Sequence, residues 1–234
     1  MANGSFLAMT GLEIAENPGF SGNQAWMACH FSPEDTGLSN LPQVLKEGSV
    51  LMLNDQLPFQ GHDFHQIANQ LSDRMEALHC CCLLLDFQRP DWEEAKNLAE
   101  YLSKTIPHPV VVSAVYAREL DCPVFLPPVP PSVALRTHLA PWDGRDIWLE
   151  IGLDGEQITL TEQGAEATLL PRFAAPETGF FDSKLHCHYQ VDVMDTQVQF
   201  TLWRSREDLK DLLIEAETFG ITTTVGLFQE LSIQ

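Results

Sequence analysis

Leu51–Pro58, LMLNDQLP, and Leu83–Pro90, LLLDFQRP, sit 32 residues apart and share Leu, Leu, Gln and Pro at matching places. Each is a short apolar run that ends in acids and amides, and each is followed by a segment with helical spacing. Such repetition is expected where polar residues gather at the carboxyl ends of successive parallel strands. The repeat therefore predicts both an architecture and the place where a site lies within it.

Working outward, His62–His79 carries apolar residues at Phe64, Ile67, Ala68, Leu71, Met75 and Leu78, the three-and-four spacing of an amphipathic helix. Cys81–Phe87 is apolar except for Asp86 near its end, as a strand buried on both faces requires. Pro90 stops it, and Asp91 is placed to cap a helix over Trp92–Lys104. Val110–Val115, Cys122–Leu126 and Ile147–Ile151 read as further strands, with a helix over Val133–Leu139. Toward the amino terminus, Phe6–Met9 and Ser49–Leu53 read as strands. Glu13–Asn40 reads as a long loop holding one strand, Trp26–Phe31, and Pro42–Lys46 as a helical turn closed by Gly48.

After Gly155 the pattern changes. Paired strands flank Gln163-Gly164 and Asp195-Thr196, so the segment 156–204 reads as antiparallel hairpins. Ser205 then caps a helix over Glu207–Phe219, and Ile221–Phe228 is the last strand. The expected fold is α/β, a small or incomplete TIM-like barrel over residues 1–234 with a hairpin-rich insertion late in the chain. An open doubly wound sheet is the alternative, because closure depends on geometry.

Composition narrows the partners. Lys and Arg number 13 against 33 Asp and Glu, a formal charge of −20, which repels phosphate backbones and anionic lipid. Nucleic acid and membrane surfaces are therefore not expected partners, while neutral ligands remain compatible. No run approaches the roughly 20 apolar residues that span a bilayer, and no export signal opens the chain. The six cysteines, three of them consecutive at Cys80–Cys82, read as free thiols of a reducing cytoplasm. No CxxC, phosphate-binding glycine loop or GxSxG elbow occurs, so no cofactor is expected. His186 with His188, and His62 with His65, have pairwise metal spacing but lack a third ligand, and read as surface histidines.

The polar residues at strand ends are Asn54, Asp55, Gln56, Asp86, Gln88, Tyr116, Glu150, Gln229 and Glu230. Asp86 ends the most apolar strand, where a carboxylate needs a partner or a task. Asp86 and Glu150 form the candidate catalytic pair, since glycoside hydrolysis commonly uses two carboxyl groups across a cleft. Asp55, Gln56, Gln88, Tyr116 and Trp203 are the candidate ligand-binding residues; Trp26 and Trp142 are further stacking candidates.

Cys81–Gln88 resembles the strand Asp-x-x-Asp-x-Asp-x-Glu of the chitinase-like family 18 glycoside hydrolases. In that register Cys81 and Leu84 stand at the first two acids, Asp86 at the third and Gln88 at the Glu. The resemblance implies a barrel with a late insertion whose site is degenerate, because an amide cannot donate an ionisable proton as the family's general acid does. Recognition of a carbohydrate or polyol with weak or absent catalysis is the leading expectation. The alternatives are a hydrolase using Asp86 with Glu150, and an interaction scaffold presenting segment 156–204. The oligomeric state stays open.

Overall fold

The computed structural model describes residues 4–34, 36–57, 61, 63–171, 174–176 and 178–232, so Pro58 and His62 lie outside the described residues. The two repeated runs are adjacent parallel strands, with Leu51 paired to Leu83, Leu53 to Leu85 and Asn54 to Asp86. The register offset is thus the offset of the sequence repeat, and equivalent positions stand side by side.

In chain order the strands are β1 (Gly4–Met9), β2 (Asn23–Phe31), β3 (Leu38–Ser39), β4 (Val50–Asn54), β5 (Cys82–Asp86), β6 (Val110–Ser113), β7 (Val124–Leu126) and β8 (Ile147–Ile151). The insertion supplies β9 (Gly155–Thr161), β10 (Gly164–Leu170), β11 (Phe180–Asp182), β12 (Cys187–Val193) and β13 (Gln197–Trp203), and β14 (Thr223–Leu227) follows. The helices are α1 (Gly11–Glu16), α2 (Phe64–Ala77), α3 (Glu93–Thr105), α4 (Ala114–Ala117), α5 (Leu135–Leu139), α6 (Arg206–Thr218) and α7 (Phe228–Leu231). β1 pairs in parallel with both β14 and β2. The parallel ring β1-β2-β4-β5-β6-β7-β8-β14 therefore closes on itself, which decides for the barrel over the open sheet.

Alternation along each strand sends side chains to two separate apolar layers. Phe6 and Trp148 stack inside the barrel at 5.7 Å, with Met52, Leu84, Val111, Phe125 and Val225 around them. Outside, Leu51, Leu53, Leu83 and Leu85 pack with Ile67, Leu71 and Met75 of α2 and with Leu98 and Leu102 of α3. Both faces of β4 and β5 are covered, which is why their sequences show no polar alternation until the last residue. Among the described residues no helix is long and apolar enough to cross a membrane.

Three local expectations are corrected. Glu13–Asn40 is not mainly loop. Thr10 and Glu13 form a capping box that starts α1, with Glu13 accepting from Thr10 N at 2.7 Å, and β2 is a full barrel strand of nine residues. Pro42–Lys46 forms no helix; Lys46 Nζ is stretched to donate to the Ser21 and Gly22 carbonyls at 2.5 and 3.1 Å. The β2–β4 crossover carries the short β3, paired antiparallel to β2, in place of a covering helix. Asp91 does not cap α3. Its φ of +60° turns the chain at that point, Trp92 holds the cap position, and Glu93 and Glu94 supply the acid that a helix amino terminus favours.

The insertion leaves the barrel directly after β8 and forms a five-stranded antiparallel sheet ordered β10-β9-β13-β12-β11. Buried Arg204 pins its root to the barrel. Its guanidinium donates to the carbonyls of Val129, Pro130, Leu185 and His186, so one side chain ties the loop after β7 to the segment before β12. Ser205 caps α6, as the sequence predicts, and Asp208 completes the box by accepting from Ser205 N at 2.7 Å. Arg204→Met would leave these carbonyls without their donor, and we expect a loss of about 2–4 kcal/mol in urea unfolding. Hydrogen exchange would quicken first in β12 and around Val129; uniform exchange across barrel and insertion would contradict this anchoring role.

Candidate functional site at the barrel mouth

The interior rows of β4, β5 and β8 turn polar at their carboxyl ends. Asn54 above Met52, Asp86 above Leu84 and Glu150 above Trp148 converge on a cavity of about 50 Å3, which Gln56 also lines. Thus the two acids expected to pair across the mouth share one lining, joined by Gln56. The apolar layer of Met27, Phe125 and Leu227 completes it. Gly226 of β14 is required by close approach, since a Cβ there would stand 2.3 Å from Leu231 Cδ1 and 2.8 Å from the Ile151 carbonyl.

Asp86 accepts a very short hydrogen bond from the Gln88 side-chain amide, so the two residues do leave the same side of the chain. Burial raises the Asp86 carboxyl above the ordinary range, Gln88 partly opposes this, and Asp55 adds a further push upward. Glu150 is perturbed more strongly. Burial first, then the neighbouring Asp86, Asp154 and Glu230, push its carboxyl up to about 8. Glu150 therefore carries a proton at neutral pH. Glu230 itself accepts from Leu153 N at 3.1 Å and holds the turn that follows β8.

Other predicted residues are engaged with backbone. Asp55 is buried and its Oδ2 accepts from Gln88 N and Arg89 N at 3.0 and 2.9 Å. Tyr116 is buried on α4, donates to the Arg89 carbonyl and accepts from Trp92 N at 3.2 Å. Ser113 Oγ donates to the Phe87 carbonyl at 2.6 Å. The loop after β5, which carries Gln88, is thereby fixed from both neighbouring strands. Asn54, whose site role the sequence left unassigned, bridges β2 and its own loop by donating to the Met27 carbonyl at 2.9 Å and accepting from Gln56 N at 3.2 Å. Asp154 was legible only as an acid beyond the Glu150 strand; its influence on Glu150 depends on how the chain turns there.

Trp203 is not among the residues lining this cavity. It is buried at the root of the insertion, stacked on His188 at 5.9 Å and 19°. Trp142 is also buried, beneath the Arg118 guanidinium, and half-buried Trp26 donates to the Asn40 carbonyl at 2.8 Å. None of the three lines the mouth cavity: Trp203 and Trp142 are committed to packing, and Trp26 lines a separate groove of about 960 Å3 beside Phe20 and Asn40. His186 has φ of +48°, which breaks strand alternation, and it pairs with Glu215 at 2.8 Å while His188 pairs with Asp208 at 2.9 Å. Among the described residues no group of three or more His, Cys, Asp or Glu is arranged to hold a metal, and all six cysteines are free.

The sequence matches no protein-family profile and no curated protein sequence. Solved structures do match. The spore cortex-lytic enzyme SleL of Bacillus megaterium QM B1551 superposes with a TM-score of 0.61 at 11% identity, covering 99% of this chain and 71% of that one. A family 18 N-acetylglucosaminidase of Paenibacillus barengoltzii gives 0.59 at 8%, covering 96% and 94%. A family 18 chitinase of Cycas revoluta, solved as a mutant in complex with (GlcNAc)4, gives 0.58 at 12%, covering 96% and 94%. The fold is that of the family 18 glycoside hydrolase barrels.

The sign of the pH effect follows from the raised carboxyl. The folded chain keeps a proton on Glu150 between its ordinary value of 4.5 and about 8, so stability falls as pH rises through that window and levels above it. Glu150→Gln should flatten this part of the profile in unfolding experiments between about pH 5 and about pH 9. Asp86→Asn should lower the Glu150 midpoint followed by carboxyl NMR, and an unmoved midpoint would separate the two acids.

Proposed function

We propose that this glycoside-hydrolase-like barrel binds a carbohydrate or similar polyol at its mouth, with weak or no catalysis. The observation that carries the reading is the Gln88 amide bonded to Asp86 where the resembling family has its acid. An amide at that position orients the carboxylate and offers polar atoms to a ligand, but cannot transfer a proton to a leaving oxygen.

In this reading Asp86 accepts from a ligand hydroxyl, protonated Glu150 donates to another, and the amides of Gln56 and Gln88 serve either role. Asp55 and Tyr116 act as positioning residues through the loop that carries Gln88. Trp203 has no part in the site. The cavity has room for water or one small substituent and not for a sugar ring, so a ring would rest over the opening. A neutral ligand suits a chain of formal charge −20 better than an anionic one.

A second reading is supported by one observation. A carboxyl pushed up to about 8 is what a general acid needs, so Glu150 with Asp86 is a possible hydrolytic pair. Calorimetry with (GlcNAc)4 and a wider glycan array, followed by product chromatography, separates the two. We expect binding without products, lost about tenfold or more in Asp86→Ala. Binding unchanged by Asp86→Ala would remove the proposal, and product formation abolished by Glu150→Gln would replace it with the hydrolase.

A further inference from the structure

The insertion has a face that nothing in the described chain covers. Residues paired across antiparallel strands share a face, and the pairings sort this sheet into two unlike surfaces. On one side lie Ile158 and Leu160 of β9, Val198 and Phe200 of β13, and Val191 and Val193 of β12. The rows continue through Ala165, Ala167 and Leu169 of β10 and through Phe180 of β11. On the other side lie Thr159, Thr161, Glu166, Thr168, Gln190 and Asp192.

The apolar side is open to solvent. Val193 is 78% exposed, Phe180 67% and Leu169 56%. Of its two acids, Glu156 is buried at the root and accepts from Ser132 N at 2.8 Å, and half-buried Asp182 lies at the end of the short edge strand β11 with its Oδ1 accepting from Lys184 N and Leu185 N, so the rows of β10, β9, β13 and β12 expose no charge. An uninterrupted apolar pleat of this kind on a chain with 33 acids is a surface kept for contact.

We propose that two copies of the chain pack through this face as a symmetric dimer. Area and charge favour that occupant. Four strands of seven residues and a short fifth, at about 4.8 Å between strands and about 3.4 Å per residue, present about 500 Å2. A pair would bury about 1,000 Å2, where specific interfaces begin, and more once side-chain relief is counted. The twin face has the same pleat and twist, and two such sheets stack about 10 Å apart with strands nearly aligned. Its four long strands are equally free of exposed charge, and the contact places Glu166 and Asp192 of each copy outward. A basic partner would gain nothing from this surface. The inference is independent of the carbohydrate reading, since none of these residues lines the mouth cavity.

The net charge gives the dimer an unusual signature. Two bodies of formal charge −20 repel at long range, and salt screens that repulsion while leaving apolar contact intact. Sedimentation of the full chain over a concentration series should give a monomer–dimer equilibrium that tightens as salt rises. Leu169→Glu should weaken it about a hundredfold, because each copy then buries an unpaired charge. Thr168→Glu adds the same charge one residue away on the opposite face and should leave the constant within about twofold. Val193→Glu, at the far end of β12, should repeat the Leu169→Glu result. A monomer at every concentration and salt, equal weakening by Thr168→Glu, or a mass that climbs past two copies without a plateau would each overturn the proposal.

Discussion

Every feature of the mouth depends on the double pairing of β1. This strand of six residues hydrogen-bonds to β14 through Gly4–Ala8 and to β2 through Phe6–Met9, so the two ends of the chain meet inside one sheet. Closure turns eight parallel strands into a ring and makes their carboxyl ends a rim. Without it, Asn54 and Asp86 would still be neighbours, because β4 and β5 pair directly. Glu150 on β8 would not face them. The strong perturbation of its carboxyl is therefore a product of closure, as it arises from burial and from an acid on a strand three places away in the ring.

The parts of the fold that could be read from sequence are those where the chain repeats a local physical rule. The β4–α2–β5–α3 stretch is legible because its strands are apolar on both faces and its helices carry a clean three-and-four spacing. The insertion is legible because its hairpin turns, around Gln163-Gly164 and Asp195-Thr196, interrupt alternating runs. Failures concentrate between β1 and β4. There the Thr10–Glu13 capping box is hidden among Gly, Asn and Pro, and the crossover dispenses with a helix altogether. Asp91 illustrates a different limit. The residue type suits a helix cap, but backbone handedness decides whether the carboxylate reaches the helix, and sequence does not encode that visibly.

The same division holds for the site. Asp86, Glu150 and Gln56 were recoverable as polar residues ending apolar strands, and parity on β8 correctly stacks Glu150 above Trp148. What could not be read was the difference between a residue that faces the mouth and one that holds a loop. Asp55 and Tyr116 look like binding residues in sequence, whereas their hydrogen bonds run to the backbone of residues 88–92. Trp203 fails for a related reason: a large aromatic near a strand end is equally suited to packing, and here it meets His188. Solved structures with the same fold share 8–12% identity with the chain, so the barrel does not depend on one particular set of side chains.

The stacked pair Phe6–Trp148 has a further consequence for the mouth. It fills the barrel beneath Glu150 with aromatic carbon, so the rim is a blind end with one door. Water, ions and any ligand must arrive and depart on the same side. A proton exchanging with Glu150 has no back route to bulk solvent through the barrel floor, and whatever covers the rim also governs how fast that proton moves.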